Sequence, residues 1–390
     1  MNAIRMMARL GILPKPFEYV GAGGGGGTET TVTGVSPLVL SSALAKAIKS
    51  LVQYGKCTQA STPTPSAPQD IVCNNGALRM LNLANMTESN LDIGFYLNNN
   101  GVRTAGSSNF YTLGFIPVKP STTYTMGTSA SLNYYNIMEY DSAQGFLKRT
   151  LWGSSGSPAG DTTTFTTRSD TAYLRFGSNM TGSALTYADI AAVTWMLTEG
   201  ETAQDYVPYG QLSVVGTPET LTVSADGAEP QTVTDIPNLF AVGDYADEGD
   251  IISGGVKRKV GIKVFDGTEG WTRISDTRYQ LNFPAAIANS VCRSTHFIYS
   301  TSTSGAGKIR IASSGYLQVV VEATTLDNFK AWLAAQYAAG TPVIVIYPLA
   351  EETEETVTPQ PLNTTAGDNV VSVTSNVDPV TLEATYYAKT

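Results

Sequence analysis

The chain has 390 residues, enough for two or three domains, and only 15% of them are charged, against roughly 25% in ordinary soluble proteins. A net charge of −9, with no run of Lys and Arg, argues against a nucleic-acid partner, which requires a basic footprint on its phosphates. No apolar stretch reaches the length of about 18 residues that a membrane-spanning helix needs, so no membrane span is predicted. Glycine, tyrosine, threonine and serine are abundant instead, and they favour turns and strands.

Residues 1–28 begin with a short amphipathic segment and end in a glycine run at positions 21–27. Such a run cannot pack on its own and stays flexible unless other chains hold it. We interpret it as a tether between an anchoring peptide and a projecting body. A disordered terminus is the alternative.

Residues 29–69 contain a threonine-rich segment, a predicted short helix and a proline-rich linker. Ser36 is suited to the N-cap and Pro37 to the first turn, and Gly55 closes the segment. Apolar residues then recur at three- and four-residue spacing, at Leu40, Leu44, Ala47, Ile48 and Leu51. The stripe fits packing within the chain or a small helix that associates chains.

Residues 70–210 predict a β-sandwich of jelly-roll type. Strand candidates recur about every ten residues between Asn, Gly and Ser clusters, as in all-β sandwiches. The predicted strands cover residues 92–97, 110–115, 122–126, 134–140, 146–151, 162–166, 172–176 and 193–197.

Residues 211–236 read as a β linker, and residues 237–390 as a second β-rich domain with one helix. Two hairpins are predicted at its start, over residues 251–260 and 262–273, with turns at Ser253-Gly254-Gly255 and Asp266-Gly267. An amphipathic helix is expected over 326–337 and a fully buried strand over 343–348. Shorter strands are predicted near 279–283, 297–300, 308–311, 317–321, 370–374 and 381–387. The fold class is therefore mainly β and multi-domain, with a short N-terminal helix and a flexible glycine-rich anchor.

The residues that usually carry catalysis are sparse. The single histidine, His296, fits a loop or strand position better than a triad. Cys57, Cys73 and Cys292 form no CxxC motif and are interpreted as free thiols, with a Cys57–Cys73 bridge as the alternative.

Two acidic segments also lack the residue spacing of a metal-binding or catalytic site. The carboxylates at 244–250 do not have the order of a calcium loop, and those at 351–355 adjoin one another instead of facing across a sugar cleft. We therefore predict no metal, no cofactor and no enzymatic activity. A glycan-degrading enzyme remains a rival that would need two facing carboxylates.

Aromatic residues are concentrated in the predicted sandwich, and alternation along strands turns about half of them inward. Sugar-binding sandwiches place exposed rings beside Asn, Asp and Arg donors, because a sugar face stacks on a ring while its hydroxyls need partners. The candidate ligand-binding residues are Arg103, Asn133, Tyr134, Tyr135 and Trp152. Core packing is the competing interpretation for each ring.

Several short motifs resemble structural proteins of tailed bacteriophages, and their shared order covers about residues 60–390. In the first β domain the motifs are FIPVKPSTTY at 115–124, YDSAQG at 140–145, YLRF at 173–176, and EGE at 199–201 followed by YVPYG at 206–210. This part is similar to a module that resembles carbohydrate-binding modules. In the second domain they are VGDYADEGD at 242–250, SGGVKRKV at 253–260, DGTEGW at 266–271, WL at 332–333, YPLA at 347–350 and GDNVVSVT at 367–374.

The resemblance implies a virion structural protein made in the cytoplasm of a bacterial host: a tail fibre, baseplate or head-fibre component. It implies an assembly that is often trimeric and reaches toward the host surface. Together with the predicted tether, we expect a homotrimer that contacts other virion proteins through its N-terminus and mediates host attachment by weak, multivalent carbohydrate binding. A purely structural capsid-decoration or tail-connector protein without a ligand is the alternative.

Overall fold

A computed structural model describes residues 27–129, 132–152, 162–180 and 184–390, without the side chains of Ala47, Asn133, Tyr135, Leu151 and Trp152. The described part is mainly β, with thirty strands and two α-helices, which confirms the predicted fold class. The predicted anchor and most of the glycine run lie outside the described residues. None of the described helices is long and apolar enough to cross a membrane.

Fourteen described strands precede residue 210. They are β1 (Gly27–Val35), β2 (Leu38–Tyr54), β3 (Cys57–Thr58), β4 (Val72–Cys73), β5 (Gly76–Met80), β6 (Leu91–Leu97), β7 (Arg103–Thr112), β8 (Ile116–Pro117), β9 (Thr123–Thr128), β10 (Leu132–Tyr140), β11 (Phe146–Trp152), β12 (Thr162–Thr166), β13 (Tyr173–Met180) and β14 (Trp195–Glu199). Helix α1 (Tyr187–Ala191) precedes β14. Three of these strands, β3 to β5, form a four-stranded sheet with β15 (Leu212–Val215).

The remaining strands are short apart from three long ones, β21, β28 and β30. They are β15 (Leu212–Val215), β16 (Thr220–Ala225), β17 (Gln231–Val233), β18 (Ala241–Val242), β19 (Tyr245–Ala246), β20 (Glu248–Asp250), β21 (Gly255–Phe265), β22 (Thr272–Ser275), β23 (Arg278–Asn282), β24 (Arg293–Ser294), β25 (Ile298–Tyr299), β26 (Lys308–Ile311), β27 (Tyr316–Val320), β28 (Val343–Thr356), β29 (Gly367–Thr374) and β30 (Thr381–Lys389). Helix α2 (Leu326–Ala338) precedes β28 and confirms the predicted helix at 326–337.

Two antiparallel sheets form the sandwich. One has six strands, in the order β11-β10-β13-β7-β6 with β8 beside β13, and the other has three, in the order β12-β9-β14. Their facing sides enclose an apolar core that includes Phe110, Tyr124, Ile137, Phe176 and Trp195. Because alternate residues of each strand enter this core, the intervening side chains of the six-stranded sheet lie on its other side.

The predicted helix at residues 36–55 is wrong: these residues form the 17-residue strand β2. The helix-like spacing arises because the pairing of β2 with its neighbours shifts register between Leu40 and Ala43 and between Ala43 and Ile48. Each irregularity adds residues between consecutive inward positions and turns a two-residue period into three or four. Ser42 and Lys46 have positive φ values of 53° and 60°, which also exclude a right-handed helix there. The oligomerising helix that this pattern suggested is therefore absent.

β2 belongs to a ten-stranded sheet, where it pairs with β20, β29 and β30, while β1 pairs with β30. Strands from residues 29–69, 211–236 and 237–390 thus share one sheet. Its core is apolar and includes Leu40, Leu51, Leu221, Val371 and Leu382. The polypeptide brings its first and last described strands together as antiparallel neighbours, with Gly27 opposite Lys389.

The first predicted hairpin is present with a shifted turn, and the second is wrong. β20 pairs with β21, so the turn begins at Ile251 and carries Gly254 at φ +72°. β21 continues to Phe265 and pairs with β28, whereas β22 pairs with β23 in a separate five-stranded sheet of the order β22-β23-β27-β26-β25. Gly267 stands at this change of sheet, where an added Cβ would lie 2.3 Å from the Lys330 carbonyl oxygen of α2. Asp266-Gly267 therefore marks a corner between two sheets.

Candidate functional site

The candidate site is the outer face of the six-stranded sandwich sheet, the side turned away from the inter-sheet core. On β13, Leu174 and Phe176 enter the core, so the alternate residues Tyr173 and Arg175 lie on the outer face. Cross-strand register extends this face over five strands. It carries Asp92, Phe95, Arg103, Asn109, Tyr111, Tyr134, Asn136, Met138, Tyr140, Phe146, Arg149, Tyr173, Arg175 and Asn179.

Aromatic rings form the floor of the outer face. Tyr111 and Tyr140 are each only 4% exposed, and Met138 between them is fully buried. Phe115 meets Tyr140 edge-on with 4.9 Å between ring centroids, and Phe146 meets Tyr140 in the same way at 5.8 Å. The floor is therefore a second small apolar cluster, and most of its ring area is covered by neighbouring side chains.

Two arginines lie on the faces of these rings. The Arg103 guanidinium carbon is 3.2 Å from the centroid of Phe95, and the same side chain forms two hydrogen bonds to the Asp92 carboxylate, at 2.6 and 3.1 Å. The Arg175 guanidinium carbon lies 4.8 Å from the centroid of Tyr111 and 5.1 Å from that of Phe115. A guanidinium on a ring face is attracted by the ring quadrupole and keeps its plane fixed.

Arg149 is the third arginine of the face and is held by amide groups. Its Nε donates to Asn136 Oδ1 and its Nη1 to Asn99 Oδ1. Asn136 is in turn fixed because its Nδ2 donates to the Leu97 carbonyl at 3.0 Å. Arg149 and Arg175 lie directly across from Met138 on its two neighbouring strands, so they occupy one row.

A polar row borders the arginines. The Tyr134 hydroxyl donates to Asn109 Oδ1 at 2.8 Å, and Asn179 Nδ2 donates to the same oxygen at 3.1 Å. Gly177 lies between these residues and Arg175, where an added Cβ would stand 2.3 Å from the Phe110 carbonyl oxygen. The hydrogen bonds fix amide and hydroxyl groups of the kind that orient a polar ligand.

Positive charge dominates the outer face. Hydrogen bonding from Arg103 lowers the pKa of Asp92, and the nearby Arg175 acts in the same direction. Burial raises the pKa of the Tyr140 hydroxyl, with Arg175 opposing the rise. Among the residues that the structure describes, Arg149 and Arg175 form no ion pair, so Asp92 is the single carboxylate set against three guanidinium groups.

Two of the five predicted ligand residues, Tyr134 and Arg103, lie on this face with described side chains. Asn133 and Tyr135 lie in β10 and Trp152 ends β11, and their side chains are outside the described part of the structure. The prediction that they bind a ligand stays a prediction. Of the other aromatics in the predicted sandwich, Phe110 and Tyr124 lie in the inter-sheet core.

Sequence reasoning missed Arg149 and Arg175. The alternation of Tyr173, Leu174, Arg175 and Phe176 contains the signal, because it places Arg175 on the same side as an aromatic residue and opposite two core positions. For Arg149 the signal is weaker, since a register shift in the β10–β11 pairing intervenes between it and the turn at 141–145.

The acidic segment at 244–250 has a structural role, because its residue Asp247 forms buried hydrogen bonds. This residue is fully buried, and its carboxylate accepts hydrogen bonds from the backbone nitrogens of Lys259 and Val260, at 2.8 and 3.0 Å, and from Arg258 Nη1 at 2.9 Å. Asp247 therefore joins the loop to β21. In the described ranges, no three His, Cys, Asp or Glu side chains come together in a way that would hold a metal ion.

A crevice of about 660 Å³ lies between the sandwich and the C-terminal region. Its charges are paired, Arg79 with Asp70 and Lys119 with Glu199. His296 at its base is 1% exposed and hydrogen-bonded to Thr295 Oγ1 at 2.9 Å, and burial lowers its pKa to about 4. This neutral, enclosed imidazole packs edge-on against Trp332, so it acts as a core residue.

Comparison with known proteins leaves the family open. No family model and no curated protein matches the chain. Among solved structures, two variants of the oxalate decarboxylase of Bacillus subtilis align with 9% and 8% identity and TM-scores of 0.10 and 0.09; each alignment covers 84% of this chain and 76% of the other. At such scores the alignments carry no argument about fold or function.

Proposed function

We propose that the protein is a structural component of a bacteriophage virion, of fibre type, that projects from the particle and attaches to glycans on the host surface. It is made in the host bacterial cytoplasm, contacts other virion proteins through its N-terminal segment and acts as a homotrimer. The resemblance of its motifs to phage structural proteins and its composition, which is low in charged residues and rich in strand-forming ones, support this role.

The outer face of the sandwich is the observation that carries the attachment role. It combines fixed amides, a tyrosine hydroxyl and guanidinium groups over an aromatic floor. Polar groups held in place by a rigid sheet bind sugar hydroxyls without the cost of ordering them on binding. Each site would bind weakly, and several copies on one particle would raise the avidity.

The function is non-enzymatic. Glycoside hydrolysis ordinarily needs two carboxyl groups on either side of the scissile bond. The residues that define the outer face include one carboxylate, Asp92, and it is already engaged by Arg103. A binding role needs no second acid.

Two measurements test the proposal. The chain should be found at fixed copy number in purified phage particles, by mass spectrometry, and its absence from them would overturn the virion role. Bead-displayed full chain should bind preparations of bacterial surface polysaccharide more strongly than the dilute free chain. Presence in the particle without any glycan binding would instead favour the alternative, a capsid-decoration or tail-connector protein without a ligand.

A further inference from the structure

We infer that the outer face of the sandwich selects polysaccharides that carry oxyanions, either carboxylate or phosphate, over neutral glycans. The inference rests on the proposed function and names the ligand class for its binding site. It differs from recognition by sugar–ring stacking, the mechanism that an aromatic-rich sandwich first suggests.

The ring faces are already occupied. A neutral pyranose binds an aromatic residue by lying flat on its face. Arg103 lies on the face of Phe95, and Arg175 lies on those of Tyr111 and Phe115. A neutral sugar would have to displace a guanidinium group to stack there, so these rings serve to orient the arginines.

The arginines have capacity left for a ligand. Arg175 is anchored through Nε to the Thr112 carbonyl at 2.8 Å and also interacts with the Tyr140 hydroxyl, and because both partners are neutral its charge remains for an oxyanion. Arg149 is anchored to two neutral amide oxygens, those of Asn136 and Asn99. A planar guanidinium forms paired, charge-assisted hydrogen bonds with carboxylate or phosphate, and such bonds are stronger than those to a neutral hydroxyl.

The charge balance also favours an anion. Three guanidinium groups against the one carboxylate of Asp92 leave a net charge of +2 on the outer face, whereas the whole chain carries −9. Because Arg149 and Arg175 stand on either side of Met138, their α-carbons are about 10 Å apart, two strand spacings. Spaced positive groups suit a polymer with repeated charges better than a single small anion.

The test measures binding of the full chain, displayed on beads, to three polymers: polygalacturonate, which carries carboxylates; a ribitol-phosphate teichoic acid, which carries phosphates; and neutral dextran. We expect one or both acidic polymers to bind and dextran to bind at least tenfold more weakly. Arg175→Gln should weaken acidic binding by about tenfold or more, as expected for a lost charge-assisted pair.

Control variants distinguish a loss of binding caused by the position of Arg175 from one caused by net charge or by unfolding. Arg168→Gln changes the net charge equally, but Arg168 pairs with Asp170 in a loop of the same sandwich, so acidic binding should change by less than twofold. Arg149→Lys keeps the charge and loses the planar fork, and binding should fall by an intermediate amount. Thermal midpoints of all variants show whether a loss reflects unfolding.

The outcomes discriminate between the two proposals. Equal binding of dextran and acidic polymers, unaffected by Arg175→Gln, would overturn the selectivity for oxyanions and leave glycan attachment standing. Equal losses for Arg168→Gln and Arg175→Gln would show a diffuse charge effect and also overturn it. Binding to none of the polymers, and to no bacterial surface polysaccharide, would remove the attachment role itself.

Discussion

The carboxylate of Asp247 shows how one buried residue holds several segments together. It accepts from the Phe240 nitrogen at 3.2 Å as well as from Arg258 and from the backbone of β21. Arg258 extends the network to Glu355 at the far end of β28. A charge removed from water in this way is tolerated because each lone pair finds a donor.

Asp247→Ala should destabilise the ten-stranded sheet by about 3–5 kcal/mol, because it leaves Arg258 partly buried without its partner and three backbone nitrogens without their acceptor. The loss would appear as a lower denaturant midpoint in the unfolding transition of the C-terminal region. Asp244→Ala is the matched control, since Asp244 is exposed in the same loop and its removal should cost no more than about 0.5 kcal/mol. Equal effects of the two substitutions would contradict the role assigned to Asp247.

Glu219 makes stability depend on pH. It is fully buried, and Gln53 Nε2 and Asn74 Nδ2 donate to its Oε2 at 2.8 and 2.5 Å. Burial raises its pKa. Since the folded pKa exceeds the unfolded one, the stabilising contribution is complete at pH values below the unfolded pKa and is lost as the pH rises through the folded pKa.

Glu219→Gln removes this dependence, because an amide stays neutral at every pH. We expect the thermal midpoint of the variant, relative to the unchanged protein, to rise with pH above the unfolded pKa of about 4.3 and to level off above the raised folded pKa. Glu352→Gln is the control with the opposite sign, since a hydrogen bond from Lys257 lowers the pKa of Glu352 and its contribution is lost as the pH falls. A midpoint difference for Glu219→Gln that does not vary with pH would exclude a raised pKa.

At the scale of elements, β2 shows where sequence patterns mislead. Lys46 lies in this strand with φ +60°, a conformation that costs an L-residue roughly 1–2 kcal/mol and glycine almost nothing. Lys46→Gly should therefore leave stability unchanged or raise it by up to about 1 kcal/mol, measured as the denaturant midpoint.

The sign of this effect separates strand from helix. If residues 36–55 were helical, Lys46→Gly would cost about 1 kcal/mol, as glycine does in a helix interior. Ala45→Gly provides the control at the adjacent, exposed position, which does not have positive φ, and there the same residue change should be destabilising. Loss of stability in both variants would argue for the helix.

The elements that sequence reasoning located well have regular periods. Residues 134–140 and 162–166 alternate between faces and are bounded by turns, and both are strands. The helix at 326–337 has its N-cap at Thr325, whose hydroxyl accepts from the Asn328 nitrogen. The strand β2 and the corner at Gly267 were not predicted. Their structure is determined by register shifts and by contacts with distant segments, and neither of these produces a local pattern in the sequence.

The same limit applies to the candidate site. Arg103 and Tyr134 were found because each residue type suits a sugar ligand wherever it stands. Arg149 and Arg175 gain their importance from their positions across β10, at Met138, and only the pairing of three strands reveals that row. The face of the sheet on which a side chain lies follows from the local alternation of the sequence. The residues that lie beside it on neighbouring strands depend on the pairing register.

At the scale of the whole molecule, the sandwich and the ten-stranded sheet differ in which parts of the sequence form their cores. The sandwich core draws on residues between Leu83 and Leu197. The core of the large sheet combines Leu40 and Leu51 of β2 with residues as distant as Tyr386. One unit is thus continuous in sequence, and the other is closed by strands from both ends.

This difference predicts the behaviour of fragments. Residues 82–210 expressed alone should fold, with the far-ultraviolet circular dichroism of β structure and resistance to limited proteolysis. Residues 211–390 should not, because they lack β1 and β2 and would leave β29 and β30 with exposed apolar faces. Residues 27–390 are the control, and a protease-resistant 211–390 fragment would contradict the closure of the sheet by the N-terminal strands.

The antiparallel pairing of β1 with β30 also determines how the molecule would carry mechanical load. Gly27 and Lys389 leave the ladder at the same end, so tension applied between them opens the hydrogen bonds one pair at a time, as in a zipper. Tension that acts along β1 would instead shear the β1–β30 ladder and load all of its hydrogen bonds together. The molecule would therefore resist a pull along its closing strands far better than one that separates Gly27 from Lys389.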